Sequence, residues 1–202
     1  MRAEVDILIS LCYFYSGREV KAMKNGSKIK NITMTALGTV FLAVCSWISV
    51  GGITLQTLAI FFLIYYFGGK RATAIISVYL LMGALGLPVF SGFGGGIGWF
   101  FGPTGGFLLC FLLVGGLHIL AEHIFKSNFM RWYLKIPLAV ISVLICYFCG
   151  AISMYFYYLQ NGSSLSFSGV FLSNLLFFGL FDAAKIVFAH FMAKYMKRIK
   201  TA

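Results

Sequence analysis

Residues 86–106 read GLPVFSGFGGGIGWFFGPTGG, and no regular helix can form across them. Glycines crowd the stretch, and Pro88 and Pro103 interrupt whatever helical run is left. On both sides the chain turns almost wholly apolar, from Ala72 to Leu85 upstream and from Phe107 to Ile124 downstream. Irregular backbone between two such runs is tolerated near a bilayer only where protein buries it or where it lines a watery cavity. The stretch therefore reads as a structured loop joining the third and fourth helices of a membrane protein.

Composition agrees along the whole chain. Of 202 residues, 60% are hydrophobic and only 10% are charged, against roughly 25% charged in a soluble domain. A soluble enzyme, a disordered tail and a disulfide-stapled secreted module are excluded as first readings. Four further apolar runs cover Ile32–Val50, Leu55–Phe67, Ile136–Leu159 and Gly169–Tyr195. The fold class expected is an all-α integral membrane protein with six transmembrane helices. The second and third runs, at roughly 13 residues each, fall short of the ~20 that cross a bilayer upright. They must cross with help from neighbours, or pair as a bent hairpin that walls a cavity.

Sixteen Lys and Arg stand against five acids, a formal net charge of +11. All the basic residues but Lys185 lie in the N-terminal segment, the 68–71 turn, the 126–135 loop or the C-terminal end. The 51–54, 86–106 and 160–168 connections carry none. The positive-inside rule then puts both termini in the cytoplasm and the glycine-rich loop outside the cell. The excess charge is explained by topology and calls for no nucleic-acid partner. The organisation expected is a cytoplasmic basic N-terminal segment (1–31), a six-helix membrane domain (32–196) and a basic cytoplasmic tail (197–202).

Charges within a membrane helix cost about 2.5–3.5 kcal/mol each at its centre. Asp182 and Lys185 lie mid-way along the last run, in FFGLFDAAKIVFAH. A spacing of three places them on one helix face. They form either an ion pair that locks two helices or a ligand site, and intramembrane ionisable groups favour the second. The glycine-rich loop fits no phosphate-binding pattern, and no GK[ST] occurs. It reads better as a lid, with Phe90, Phe93, Trp99 and Phe100 supplying flat apolar surface. His118, Glu122 and His123 lack the spacing of a zinc motif, and four of the five cysteines lie in apolar runs as small core residues. No metal or cofactor is expected. No nucleophile–base pair is visible, so the chain is not read as an enzyme. Thr35, Thr39 and Ala43 recur every four residues, a small-residue stripe that serves packing if it faces inward and docking if it faces outward.

GALGLPVFSGFGGGIGWFFGPTGGFLLCF at 83–111, ITLQTLA at 53–59 and the D-x-x-K at 182–185 together resemble the BioY family over about residues 24–200. These are biotin-specific substrate-binding (S) components of energy-coupling-factor (ECF) vitamin transporters. The resemblance implies biotin capture from outside by a multi-pass protein of a bacterial cell membrane. It implies, as partners, a transmembrane coupling protein (T component) and two cytoplasmic ATPases that hydrolyse the ATP. Carried over to this chain, it makes Asp182 the acceptor of a ureido N–H and Lys185 the donor to the ureido carbonyl, with swapped roles left open. It adds Gln56 as an amide ligand, Gly95 and Gly96 in the lid, and Phe107 where the family commonly has Tyr. It also makes Thr35, Thr39 and Ala43 candidates for docking on the coupling protein. The competing reading is a stand-alone secondary carrier in which Asp182 relays charge or a proton.

Overall fold

The computed structural model describes residues 28–50, 52–125, 132–162 and 166–201. Most of the expected 1–31 segment lies outside the described residues. Six helices account for most of them: α1 (Lys28–Trp47), α2 (Gln56–Phe67), α3 (Gly69–Ala84), α4 (Gly105–Phe125), α5 (Trp132–Gln160) and α6 (Phe167–Thr201). Residues 28–37 open α1, where the Thr33 and Thr35 hydroxyls donate back to the Ile29 and Asn31 carbonyls. From Gly38 onward the chain forms one packed unit.

Two boundaries differ from expectation. The first helix ends at Trp47 instead of Val50, because Ser49–Val50 (β1) pairs antiparallel with Ile53–Thr54 (β2) around Gly52, whose φ is +86°. The last helix continues to Thr201, so the basic 197–201 segment is its final turn and not a separate tail.

α1, α4, α5 and α6 are each long and apolar enough to cross a membrane. α2 and α3 are not: at 12 and 16 residues they rise about 18 and 24 Å, against a hydrocarbon core of ~30 Å. α2 has a physical reason to be short. Ala59 through Tyr65 are all buried, so this helix is apolar on every side and lies inside the bundle. Its partners are α6, α3 and α4. The chain turns from α2 into α3 at Gly68, in a positive-φ conformation suited to glycine. Gly69 N–H, at the start of α3, donates to Glu122 Oε1 on α4 at 2.7 Å. Glu122 is therefore a capping acid for α3, and fully buried His118, one turn earlier, sets Nδ1 2.9 Å from Val114 O.

Close helix approach explains several glycines. A Cβ on Gly38 would lie 2.6 Å from Ile75 Cδ1, and one on Gly106 would run into the Cys149 carbonyl. α1 thereby seats on α3, and α4 on α5. Thr39 and Ala43 follow Gly38 onto that buried face, with the Thr39 hydroxyl 3.5 Å from Ile75 O. In this part of α1 the small-residue stripe packs inward, which corrects the docking assignment of Thr39 and Ala43. The outward face carries Val40, Val44 and Ile48.

The loop after α3 is ordered by short-range bonds. Leu87 N–H donates to Met82 O, Gly96 N–H to Gly83 O at 2.7 Å, and Phe90 N–H to Gly94 O at 2.9 Å. Two 3-10 turns, Ser91–Phe93 and Ile97–Phe100, supply what helical structure it has. The end of α1 holds the loop from the side: Trp47 Nε1–H donates to Pro88 O at 2.8 Å, and Ser46 Oγ–H to Val89 O.

Candidate functional site

The loop, the β1–β2 hairpin and helices α2, α4, α5 and α6 enclose a cavity of about 330 Å³, within the range of small-molecule sites. Most of the wall is apolar, with Ile60, Phe61, Phe90, Trp99, Phe107 and Phe111 prominent. A binding cleft needs a few placed polar groups on such a wall, and here they converge from three directions. α6 brings Asp182 and Lys185, 2.9 Å apart from Nζ to Oδ1. The hairpin brings the Thr54 carbonyl, which accepts from Lys185 Nζ at 2.7 Å. α5 brings Tyr147, whose hydroxyl donates to Asp182 Oδ2 at 2.7 Å.

These contacts leave defined capacity unused. A carboxylate offers about four acceptor sites, and the protein occupies one on each Asp182 oxygen. An ammonium has three donors, and Lys185 commits two. What remains is a pair of acceptor positions beside one donor, facing an apolar chamber. That arrangement fits a neutral group carrying both N–H and C=O. The two charges cancel, which lowers the cost of keeping either one at this depth.

Gln56 stands at the start of α2, 6% exposed, and its Nε2 donates to Tyr79 Oη at 2.9 Å. Ser46, near the end of α1, donates to Val89 O in the loop. One polar contact thus ties Gln56 on the cavity wall to α3, and another ties α1 to the loop. Gln56 itself lines the cavity, with its amide oxygen as a further acceptor there.

Of the residues anticipated for binding, Asp182, Lys185, Gln56, Phe90 and Phe107 line the cavity together. Gly95, Gly96 and Phe93 do not. Gly95 is a close-approach position, where a Cβ would strike the Leu87 carbonyl. Gly96 adopts φ +101° while its N–H bonds Gly83 O. Both build the loop. Phe93 is 65% exposed and stacks on Trp47 with ring centroids 5.0 Å apart. It turns outward because Gly92 and Phe93 both take positive φ, which reverses the chain. Thr54 and Tyr147 are site residues that sequence reasoning missed. Tyr147 lies 35 positions before Asp182, among other aromatics of α5, and nothing in its local spacing sets it apart.

Helices long enough to span a bilayer, around a neutral-overall cavity with a charge pair in its wall, define a multi-pass membrane protein built to hold a small solute. The sequence pattern of the BioY family matches residues 20–202, and the chain belongs to that family. It is 29% identical over 176 residues to the biotin transporter BioY of Thermotoga maritima, covering 85% of this chain and 98% of that one. It is 37% identical over 121 residues to the biotin transporter BioY2 of Lactococcus lactis subsp. cremoris, covering 58% of this chain and 63% of the relative. Its fold is similar to the crystal structure of the S-component for biotin from an ECF-type ABC transporter, with a TM-score of 0.73 and 23% identity. That likeness covers 86% of this chain and 94% of the other.

Proposed function

We propose that the protein binds biotin as the substrate-binding component of an ECF-type vitamin transporter. The observation that carries this reading is the unused hydrogen-bonding capacity at Asp182 and Lys185, together with membership of a family whose named relatives are biotin transporters. A ureido ring has N–H donors beside a carbonyl acceptor. Asp182 takes an N–H, Lys185 donates its third N–H to the carbonyl, and the aromatic wall packs the rest of the molecule. Tyr147 and Thr54 are positioning residues that hold the two charged groups in place.

Both termini lie in the cytoplasm in this reading, and the 86–106 loop closes the cavity on the outer side; the distribution of basic residues supports this orientation. The chain carries no nucleotide-binding pattern, so energy comes from a coupling protein and two ATPases supplied as separate subunits.

Uptake in a biotin-auxotrophic bacterium lacking its own transporter tests this assignment. Growth on nanomolar biotin should require this chain together with a coupling protein and ATPases. Growth with this chain alone, abolished by a protonophore, would favour the secondary-carrier reading instead.

A further inference from the structure

No Asp, Glu, Lys or Arg occurs between Lys30 and Lys70, between Arg71 and Glu122, or between Lys135 and Asp182. The consequence for the cavity is direct. Among its lining residues Asp182 and Lys185 alone are charged, and they face each other at 2.9 Å. The remaining polar lining groups are all neutral, Gln56, Ser91, Trp99, Thr104 and Tyr147 among them.

The chamber is also long. Val143 and Met154 both line it from α5, and eleven residues of helix correspond to about 16 Å. The Met154 end lies against the loop, since the neighbouring Ser153 hydroxyl donates to Pro103 O at 3.1 Å and accepts from Gly106 N–H at 3.0 Å. A ligand anchored by its ring at Asp182 and Lys185 therefore sends its tail toward Ser91 and Thr104. No described cation waits there. A carboxylate buried without a counter-charge is penalised by desolvation. It must sit among neutral donors or reach water at the mouth, and in either place its charge gains no ion pair. Hydroxyl donors can bond an amide carbonyl as well as a carboxylate, and the stronger charge-assisted bond to the carboxylate is offset by its larger desolvation cost.

We infer that this site recognises the ring system of biotin and is indifferent to the charge at the end of its tail, so that tail amides are ligands as well. The inference rests on the biotin reading above. It names a wider substrate class: free biotin together with its neutral amide conjugates.

The test is isothermal titration of the full chain in detergent micelles with biotin and with biotinamide, which replaces the carboxylate by a group of nearly the same shape. A Kd for biotinamide within tenfold of that for biotin is the expected result. A loss greater than tenfold, with biotin still binding, overturns the inference and assigns a cationic partner to the carboxylate, while the biotin reading stands. Absence of binding by biotin itself removes the reading and the inference with it.

Discussion

Neutralising one member of the Asp182–Lys185 pair should harm the fold more than neutralising both. Asp182→Leu leaves a Lys185 ammonium that is 9% exposed and keeps the Thr54 carbonyl as its described partner. Lys185→Met leaves the Asp182 carboxylate, 6% exposed, with the Tyr147 hydroxyl. Breaking a buried pair from one side costs about 3–5 kcal/mol, because the remaining charge is uncompensated. The cavity beside the pair can admit water, so the lower end, ~3 kcal/mol, is expected for each single variant. Replacing both partners by apolar side chains is often close to neutral, and the double variant should lie within about 1 kcal/mol of the parent. The cycle then yields a coupling energy on the order of 5 kcal/mol, inside the range measured for close charge pairs. Unfolding free energies from reversible SDS titration in mixed micelles, followed by far-UV circular dichroism, measure it. Biotin binding should vanish in all three variants, which separates the ligand role from the structural one. Additive losses, with the double variant as unstable as the two singles combined, would refute the pairing.

Tyr147→Phe removes a charge-assisted hydrogen bond of 2.7 Å while keeping the ring. Biotin affinity should fall about tenfold, or ~1.4 kcal/mol, and calorimetry showing an unchanged Kd would mean that Asp182 is held without it. Gly106→Val drives a side chain into the Cys149 carbonyl, whereas Gly116 has open space around its Cβ position. Thermal unfolding should thus show a marked drop for Gly106→Val and little change for Gly116→Val. In a background freed of native cysteines, Phe93→Cys should react with a membrane-impermeant maleimide added to intact cells, and Tyr195→Cys should react only after permeabilisation; the side chains replaced are 65% and 67% exposed. The opposite labelling pattern would invert the proposed topology.

The architecture was legible because lipid imposes a blunt rule on sequence. Apolar runs with basic residues at their ends mark helices, and each of the six found lies where such a run predicts it. The charge pair was legible for the same reason, since an acid and a base three residues apart in a span are costly unless they hold each other or a ligand. Hidden were the features that depend on tertiary proximity. Thr54 contributes a backbone carbonyl, which carries no signature of residue type. The positive φ of Gly92 and Phe93 turns Phe93 out of the lid, a matter of backbone geometry that composition does not encode. The face of the Thr39–Ala43 stripe depended on Gly38 meeting Ile75, and spacing alone gives a stripe without giving its direction.

The central claim is that the capacity left open at Asp182 and Lys185 is filled by biotin. Isothermal titration of the purified full chain with biotin measures this most directly, with Asp182→Ala titrated alongside. One-to-one binding by the parent, lost in Asp182→Ala although the variant remains monodisperse, is the predicted result. A parent protein that is monodisperse and gives no binding with biotin, or an Asp182→Ala variant that binds as tightly as the parent, would contradict it.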